Sequence, residues 1–308
     1  MTDIRNPSRR DVLRLAAATA ASALLPPAWA AKPAQRLSKI PKSGETLPAI
    51  GLGTSRTFNV GRSAEERSAQ REVLRLFAEL GGRVVDTSPM YGAAEGVFGD
   101  LAAELNLTSK LFIATKVWTA EREAGIQQMN ESLRRLHTPK IDLMQVHNLL
   151  DWKIHLKTLR DWKAQGRIRY LGITHYTESA YDELAQVMAT EDIDFVQLNY
   201  SISSRLAEQR LLPLAQGKNI AVLVNRPFEK SGLFDQVRNQ PLPPWAADFD
   251  CNSWAQFFLK FVLAHPAVTC AIPATSKAKH LLDNMQAGLG RLPDPATRER
   301  MAKHLQTL

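Results

Sequence analysis

Four polar residues have side chains that together can deliver a proton to a developing oxyanion. They are Asp86, Tyr91, Lys116 and His147. A buried lysine is unfavourable alone, but a Lys–Asp pair compensates itself. The ammonium group of Lys116 also favours a nearby phenolate, so we expect the pKa of Tyr91 to fall below its ordinary value of about 10. A phenol tuned toward neutrality is a competent general acid, and His147 beside it can orient and polarise a carbonyl oxygen.

Each of these residues also has a purely structural interpretation. Asp86 and Thr87 can end a strand as a turn, Tyr91 can pack in a loop, Lys116 can be a surface charge and His147 a satisfied core histidine. The catalytic interpretation is favoured over the structural one only if the fold brings the four residues together at equivalent strand ends. The elements that carry them therefore decide between chemistry and packing.

Eight short apolar runs recur along the chain, with amphipathic helical patterns between them. The runs are Ile50–Leu52, Val84–Val85, Leu111–Ala114, Ile141–Val146, Ile168–Ile173, Phe195–Leu198, Ile220–Val224 and Val268–Ile272. Apolar strands that alternate with helices predict a parallel sheet covered on both faces. The period of roughly 30 residues favours an α/β fold of the closed (β/α)8 TIM barrel type over an open doubly wound sheet. The chain also lacks G-x-G-x-x-G, which argues against a Rossmann dinucleotide site.

The predicted barrel explains how the four polar residues meet. Asp86, Lys116 and His147 each come directly after a predicted strand, and Tyr91 follows Asp86 in the same loop. Residues at the carboxyl ends of barrel strands converge on one face, where active sites are built. At the opposite end, the sequence from Leu37 to Ile50, with Ser43-Gly44-Glu45 at its centre, predicts an N-terminal β-hairpin that covers the barrel bottom.

One interval between strands is longer than the others. A helix is predicted over Trp254–His265, and residues 229–252 before it form a long loop on the catalytic face. Such loops are more often functional than idle, although a solvated surface excursion is the alternative. Three aromatic residues on loops at the mouth are candidates for an apolar substrate pocket, with packing among the loops as the alternative. They are Trp118, Phe228 and Trp245.

Composition limits the partners. The chain has 308 residues, is 44% hydrophobic and 23% charged, and carries a net charge of +8, which excludes collagen-like and wholly disordered classes. No cluster of Lys or Arg concentrates the charge, so we expect a weak attraction for anionic ligands and no nucleic-acid partner. Cys251 and Cys270 form no metal motif. Cys270 lies in an apolar strand, which favours a buried thiol over a disulfide.

Residues 1–30 have the pattern of a signal peptide. Arg9-Arg10 precedes a mild apolar run over Leu15–Leu25, and Ala28-x-Ala30 is a small-residue cleavage signature. The run is too short for a membrane span, which needs about 20 apolar residues, so no stable membrane insertion is expected. The segment resembles the twin-arginine export signal. It implies export machinery as a partner, a periplasmic location and a single domain over residues 31–308. A disordered, alanine-rich tail is the alternative.

Over residues 36–290 the chain resembles the aldo-keto reductase family. The motifs that carry the resemblance are Ile50-Gly51-Leu52-Gly53-Thr54, Asp86-Thr87-Ser88-x-x-Tyr91-Gly92-x-x-Glu95, Thr115-Lys116, Gln145-Val146-His147, Gln197-Leu198-Asn199-Tyr200-Ser201, Ile272-Pro273 and Asp283-Asn284. The family implies a (β/α)8 barrel that binds NADPH across its carboxyl mouth and transfers hydride to a carbonyl carbon. By motif, Tyr91 is the acid, Lys116 lowers its pKa, Asp86 pairs with Lys116, and His147 orients the substrate.

The resemblance also implies a set of NADP(H) contacts. They are Gly53, Thr54, Thr174, His175, Gln197, Asn225, Arg226, Thr275, Ser276, Lys277, His280, Asp283 and Asn284. Thr174-His175 stands where the family usually has Ser-Asn, and Gln197 matches the glutamine that contacts the nicotinamide. Asn225-Arg226 replaces a stacking Tyr and the Ser after it, and Arg226 is a candidate for the pyrophosphate.

The loop after the last strand is the candidate site for the adenosine end of the cofactor. Thr275, Ser276 and Lys277 suit an anion at a helix N-terminus. His280 stands at the usual position of an arginine and is a weaker, pH-dependent partner. The pair Asp283-Asn284 corresponds to the acid and amide that hold the adenine. The resemblance thus implies NADPH-dependent reduction of an aldehyde or ketone, with an NADP(H)-binding redox sensor of little turnover as the alternative.

Overall fold

Short strands and long helices alternate along the computed structural model, which describes residues 34–308. The strands are β1 (Leu37–Lys39), β2 (Thr46–Pro48), β3 (Leu52–Gly53), β4 (Val84–Asp86), β5 (Phe112–Val117), β6 (Ile141–His147), β7 (Ile168–Thr174), β8 (Phe195–Asn199), β9 (Ala221–Asn225) and β10 (Val268–Ala271). The helices are α1 (Ala64–Glu79), α2 (Ala94–Glu104), α3 (Arg122–Arg135), α4 (Trp152–Ala164), α5 (Tyr181–Thr190), α6 (Leu211–Gly217), α7 (Gly232–Gln236), α8 (Trp254–Leu263), α9 (Ala278–Gln286) and α10 (Pro295–Gln306). The predicted signal segment, residues 1–30, lies outside the described residues.

Strands β3 to β10 form one parallel sheet in chain order. The sheet curls until its edges meet, where two isolated parallel bridges join Ile50 to Ala271 and Gly53 to Ala274. A Cβ atom at Gly53 would lie 2.9 Å from the carbonyl oxygen of Ile272, so glycine is required for this approach. The predicted α/β class and eight parallel strands are confirmed.

The inside of the curled sheet is apolar toward the amino-terminal ends of the strands. Phe112 and Phe195 begin their strands, and both belong to one buried cluster with Ile40 and Leu47 from the hairpin region. Strands β1 and β2 pair antiparallel, as predicted, and the hydroxyl of Tyr170 on β7 donates to the Ser43 hydroxyl oxygen at 2.9 Å. These contacts hold the hairpin against the amino-terminal ends of the strands. The polar residues lie at the opposite, carboxyl-terminal ends.

The outer helices begin where the sequence supplies capping groups. Helix α1 starts with a capping box, in which the Ser63 hydroxyl accepts from the Glu66 backbone and the Glu66 carboxylate accepts from the Ser63 backbone. Its apolar stripe, which includes Val73 and Phe77, is buried. Between residues 34 and 308, no helix is long and apolar enough to cross a membrane.

The long interval after β9 contains short helices. It holds α7 and two 3-10 helices, Glu229–Ser231 and Pro244–Phe249, and it buries apolar side chains such as Leu233 and Phe249. The following helix ends at Leu263, two residues before the predicted end. The predicted long loop therefore contains short helical turns, on which the apolar residues of this stretch are buried. Cys251 and Cys270 are free, buried thiols.

Candidate active site

The register of the sheet brings the predicted catalytic residues to one end. Asp86 ends β4, His147 ends β6, and Lys116 is the penultimate residue of β5. Lys116 pairs in register with Gln145, and His147 with Thr174. The sequence placed these polar residues just after the strands, whereas the strands continue through them. The strands continue because these polar side chains are buried against one another. Backbone pairing between the strands can therefore extend through the same residues.

The centre of the site is a buried ion pair. The Lys116 ammonium donates to both carboxylate oxygens of Asp86, at 2.9 and 2.8 Å, and to the carbonyl oxygen of Thr87 at 2.7 Å. Lys116 is fully buried and Asp86 is 3% exposed. Burial acts to lower the pKa of Lys116, but the combined effect of Asp86 and Tyr91 outweighs burial and leaves the pKa above its usual value. Lys116 therefore stays charged.

Amide side chains complete the environment of Asp86. Gln197 donates to the Asp86 carboxylate at 2.7 Å, and Gln145 donates to the same oxygen at 3.3 Å. The Gln197 amide oxygen accepts from Thr174 at 3.1 Å and from Asn225 at 3.4 Å. Gln197 was expected to contact the nicotinamide. In the structure its amide group instead donates a hydrogen bond to the buried Asp86 carboxylate.

Two residues of this region were given no role by the sequence analysis. Gln145 lies two residues before His147 on β6, and alternate residues of a strand share a face, so this spacing was its signal. Ser88 stood inside the motif after β4, and its hydroxyl oxygen lies 3.1 Å from Nδ1 of His147. The motif marked its position, but sequence spacing carried no sign of that contact.

Tyr91 lies over the ion pair. Nζ of Lys116 is 5.1 Å from the centroid of the Tyr91 ring. The Tyr91 ring meets the His147 ring edge-on, with the two centroids 6.0 Å apart. Burial raises the pKa of the Tyr91 phenol, and Lys116 lowers it by less. The predicted fall in this pKa is therefore corrected. The main reason is the burial of the phenol, and the Asp86 carboxylate adds to the rise by opposing the effect of Lys116.

His147 is a neutral side chain in this setting. Burial, followed by the charge of Lys116, lowers the pKa of His147 to about 2. A neutral imidazole donates from one ring nitrogen and accepts at the other. His147 can therefore hold a carbonyl oxygen by a hydrogen bond but cannot supply a proton as an imidazolium ion.

Only one of the three predicted pocket aromatics lies beside these residues. The Trp118 ring is 6.3 Å from that of His147 and is 40% exposed, and its carbonyl oxygen accepts from the Gln128 side chain at 3.0 Å. The Phe228 ring instead packs 4.9 Å from Phe234. Trp245 lies in an aromatic cluster with Phe249, Phe257 and His304. The alternative was packing among the loops, and both rings do pack against other aromatic side chains, although Phe257 and His304 beside Trp245 lie on helices.

A stack of three side chains lies after β7 and β9. The Arg226 guanidinium is 4.1 Å from the ring centroid of Tyr176, and that ring lies nearly parallel to His175 at 5.4 Å. In residues 34–308, Arg226 forms no salt bridge. Arg226 also has a left-handed backbone, with φ of 52°. The structure thus holds a half-buried cation near the residues predicted to meet the nicotinamide.

The loop after β10 leads directly into helix α9. Lys277 is the N-cap residue of α9, and its backbone N–H donates to the Thr275 hydroxyl oxygen at 3.1 Å. Burial, followed by the nearby lysines, lowers the pKa of His280. His280 is therefore neutral at pH 7, and Lys277 is the stronger candidate for a phosphate charge.

Two of the remaining predicted cofactor residues, Asp283 and Thr54, have side-chain partners within the fold. One carboxylate oxygen of Asp283 accepts from Ser253 at 2.8 Å and from Gln256 at 2.7 Å, at the start of α8. Asn284 is buried. The Thr54 hydroxyl donates to the backbone carbonyl of Asp86 at 3.0 Å. These contacts position the loops around the site.

Comparisons with known proteins identify the family of the chain. The model of the aldo/keto reductase family matches residues 49–300. A methylglyoxal reductase of Escherichia coli is 31% identical over 249 residues, which span 78% of this chain and 84% of that protein. A glyoxal reductase of Bacillus subtilis is 26% identical over 79% of this chain and 83% of its own length.

A solved aldo/keto reductase from Klebsiella pneumoniae, in complex with NADP and acetate, shares the fold. It is 25% identical, with a TM-score of 0.71, and the match covers 87% of this chain and 95% of that one. The family model spans most of the chain, including all four residues around the buried ion pair. The chain therefore belongs to the aldo/keto reductase family and is an NAD(P)H-dependent oxidoreductase.

Proposed function

We propose that the protein reduces an aldehyde or ketone with NADPH and that Tyr91 is the general acid. The observation that carries the proposal is the position of the Tyr91 ring over the buried Lys116–Asp86 pair, edge-on to a neutral His147. His147 is a neutral hydrogen-bond donor, Tyr91 is an acid, and the ion pair beside them is fixed. Together these groups can stabilise a carbonyl oxygen that gains negative charge. Trp118, beside His147, supplies an apolar wall.

The proposed step needs one hydride and one proton. When bound, the reduced nicotinamide supplies the hydride that adds to the carbonyl carbon. His147 holds the carbonyl oxygen by a hydrogen bond. Tyr91 gives its phenolic proton to that oxygen as charge develops, and the Lys116 ammonium stabilises the phenolate that is left. The raised pKa of Tyr91 keeps the phenol protonated at neutral pH, and an alkoxide is still the stronger base. Solvent then returns the proton to Tyr91.

The residues present fit NADP(H) on two observations. The Asn225 side-chain oxygen is a buried acceptor without a hydrogen-bond partner in the described chain, and a carboxamide offers N–H donors. Helix α9 begins without a side-chain cap among the described residues, and a helix N-terminus favours phosphate. We place the nicotinamide near Thr174, His175, Gln197 and Asn225. We place the pyrophosphate near Arg226, and the adenosine end by the loop after β10, with Asp283 and Asn284 at the adenine.

Steady-state turnover tests this function against a binding role. We expect the purified protein to oxidise NADPH when methylglyoxal or glyoxal is added, since both substrates are named for relatives. Absorbance of NADPH, followed with and without the carbonyl compound, measures the rate. Tight NADPH binding without oxidation, over a panel of aldehydes and ketones, would instead favour the redox sensor.

Replacing Lys277 with alanine is expected to weaken NADPH binding by about 1–2 kcal/mol, the scale of a charge-assisted hydrogen bond. NADH lacks the 2′-phosphate, so its affinity should change little. Fluorescence titration of both cofactors measures the difference. Lys110→Ala removes an exposed lysine just before β5, at the amino-terminal end of the sheet, and should alter neither affinity. An equal loss for both cofactors, or no loss, would remove Lys277 from the phosphate site.

We also propose export to the periplasm through the twin-arginine pathway, on the evidence of residues 1–30. Replacing Arg9 and Arg10 with lysine keeps the charge but removes the arginine pair, so the precursor should stay in the cytoplasm at full length. Cell fractionation and immunoblotting measure its location and size. As a control, Arg5→Lys lies outside the pair and should leave export intact. Export of the double lysine variant would show that the pathway is a different one.

A further inference from the structure

Ser88 is a buried serine in the loop after β4 to which the proposed function gives no part. It is 0% exposed, and His147 is 4% exposed. The Ser88 hydroxyl oxygen lies 3.1 Å from Nδ1 of His147. This distance is that of a hydrogen bond, and the donor can be either group.

The surroundings of Ser88 decide which group donates. Its hydroxyl oxygen already accepts from the backbone N–H of Met90 at 3.3 Å. Within residues 34–308, the only acceptor in reach of the Ser88 hydroxyl proton is Nδ1 of His147. If Nδ1 carried the ring proton, the Ser88 proton would be buried without a partner, which is costly. The Ser88 hydroxyl therefore donates and Nδ1 accepts.

The protonation of the ring follows from this direction. The imidazole of His147 is neutral, because burial and Lys116 oppose its positive form. A neutral imidazole carries one proton, and with Nδ1 accepting, that proton is on Nε2. Nε2 is the ring nitrogen remote from Ser88 and is free to donate to a substrate.

We propose that Ser88 is a positioning residue, which holds His147 in the Nε2-protonated tautomer so that Nε2–H donates to the carbonyl oxygen of the substrate. The inference rests on the proposed function, because it places a carbonyl oxygen beside Tyr91 and His147. The new element is the cause of the tautomer: the hydroxyl group of Ser88 selects the form of His147 that is protonated at Nε2.

Nitrogen NMR of the full-length protein with NADP⁺ bound, labelled with ¹⁵N in histidine, reads the tautomer directly. The ring signals of His147 are assigned by their loss in His147→Gln. We expect the wild-type ring to be protonated at Nε2 alone, and the Nδ1 signal to move in Ser88→Ala as its hydrogen bond is lost. Nδ1 protonated in the wild-type protein, or His147 signals unchanged in Ser88→Ala, would overturn the proposal. The wild-type spectrum decides the tautomer even if a variant fails to fold.

Kinetics test the consequence for the substrate. Ser88→Ala should lower kcat/KM for methylglyoxal about three- to tenfold, the range of one neutral hydrogen bond, with the dissociation constant for NADPH unchanged. Ser88→Thr, which keeps the hydroxyl, should retain most of the activity. Ser132→Ala removes another buried serine hydroxyl, on α3, and should match the wild type. An altered tautomer with unchanged kcat/KM would overturn the positioning role. Failure of the wild-type protein to oxidise NADPH would count against the proposed function, while the spectrum still decides the role of Ser88.

Discussion

Tyr91→Phe is expected to lower kcat for carbonyl reduction by roughly 10²–10⁴-fold, the usual contribution of a general acid. The change removes the phenolic proton and keeps the ring over Lys116 and beside His147. His147 cannot replace the acid, because burial lowers its pKa to about 2. The oxygen that gains charge on hydride transfer would then have no nearby acid. Steady-state NADPH oxidation measures the loss.

Cofactor binding separates this effect from damage to the fold. The dissociation constant of Tyr91→Phe for NADPH should stay near that of the wild type, because the proposed cofactor contacts lie on other loops. Tyr170→Phe is a matched control, since it removes a hydroxyl that meets Ser43 of the hairpin region. Its kcat should be close to that of the wild type. A Tyr91→Phe enzyme that reduces the same substrate at the wild-type rate would rule out Tyr91 as the acid.

Lys116→Met is expected to abolish most turnover and to lower the free energy of unfolding by about 3–5 kcal/mol, the cost of leaving one partner of a buried ion pair alone. Lys116 is fully buried and donates twice to Asp86. Without it, the Asp86 carboxylate keeps only the weaker amide donors. Tyr91 also loses the cation that opposes the effect of burial on its pKa. Urea denaturation and NADPH oxidation measure the two losses.

Two further variants identify the cause of the instability. Adding Asp86→Asn to Lys116→Met removes the unpaired charge, so the double variant should recover part of the stability and none of the turnover. Arg210→Met breaks an exposed pair with Asp182, whose side chains are 61% and 97% exposed, and should change stability little. If Lys116→Met unfolded at the same urea concentration as the wild type, the ion pair would not support the fold.

Much of the fold was predictable because its signals are periodic. The eight apolar runs predicted the eight parallel strands, and Ser43-Gly44-Glu45 predicted the turn between β1 and β2. Burial on both faces makes each strand apolar, so the pattern is visible in a single sequence. The helical turns within residues 229–252 were not predicted, because these helices are short and their apolar residues show no clear period.

The sequence by itself determined which side chains meet at the carboxyl end of the sheet, since strand order and residue period place Asp86, Lys116 and His147 on neighbouring strands. Only the tertiary structure decided how those groups behave. Burial of Tyr91, with a smaller contribution from Asp86, raises the pKa of the phenol although the cation of Lys116 lies nearby. Such balances depend on burial and on distances of a few ångströms. They arise between residues far apart in the chain, where no local pattern records them.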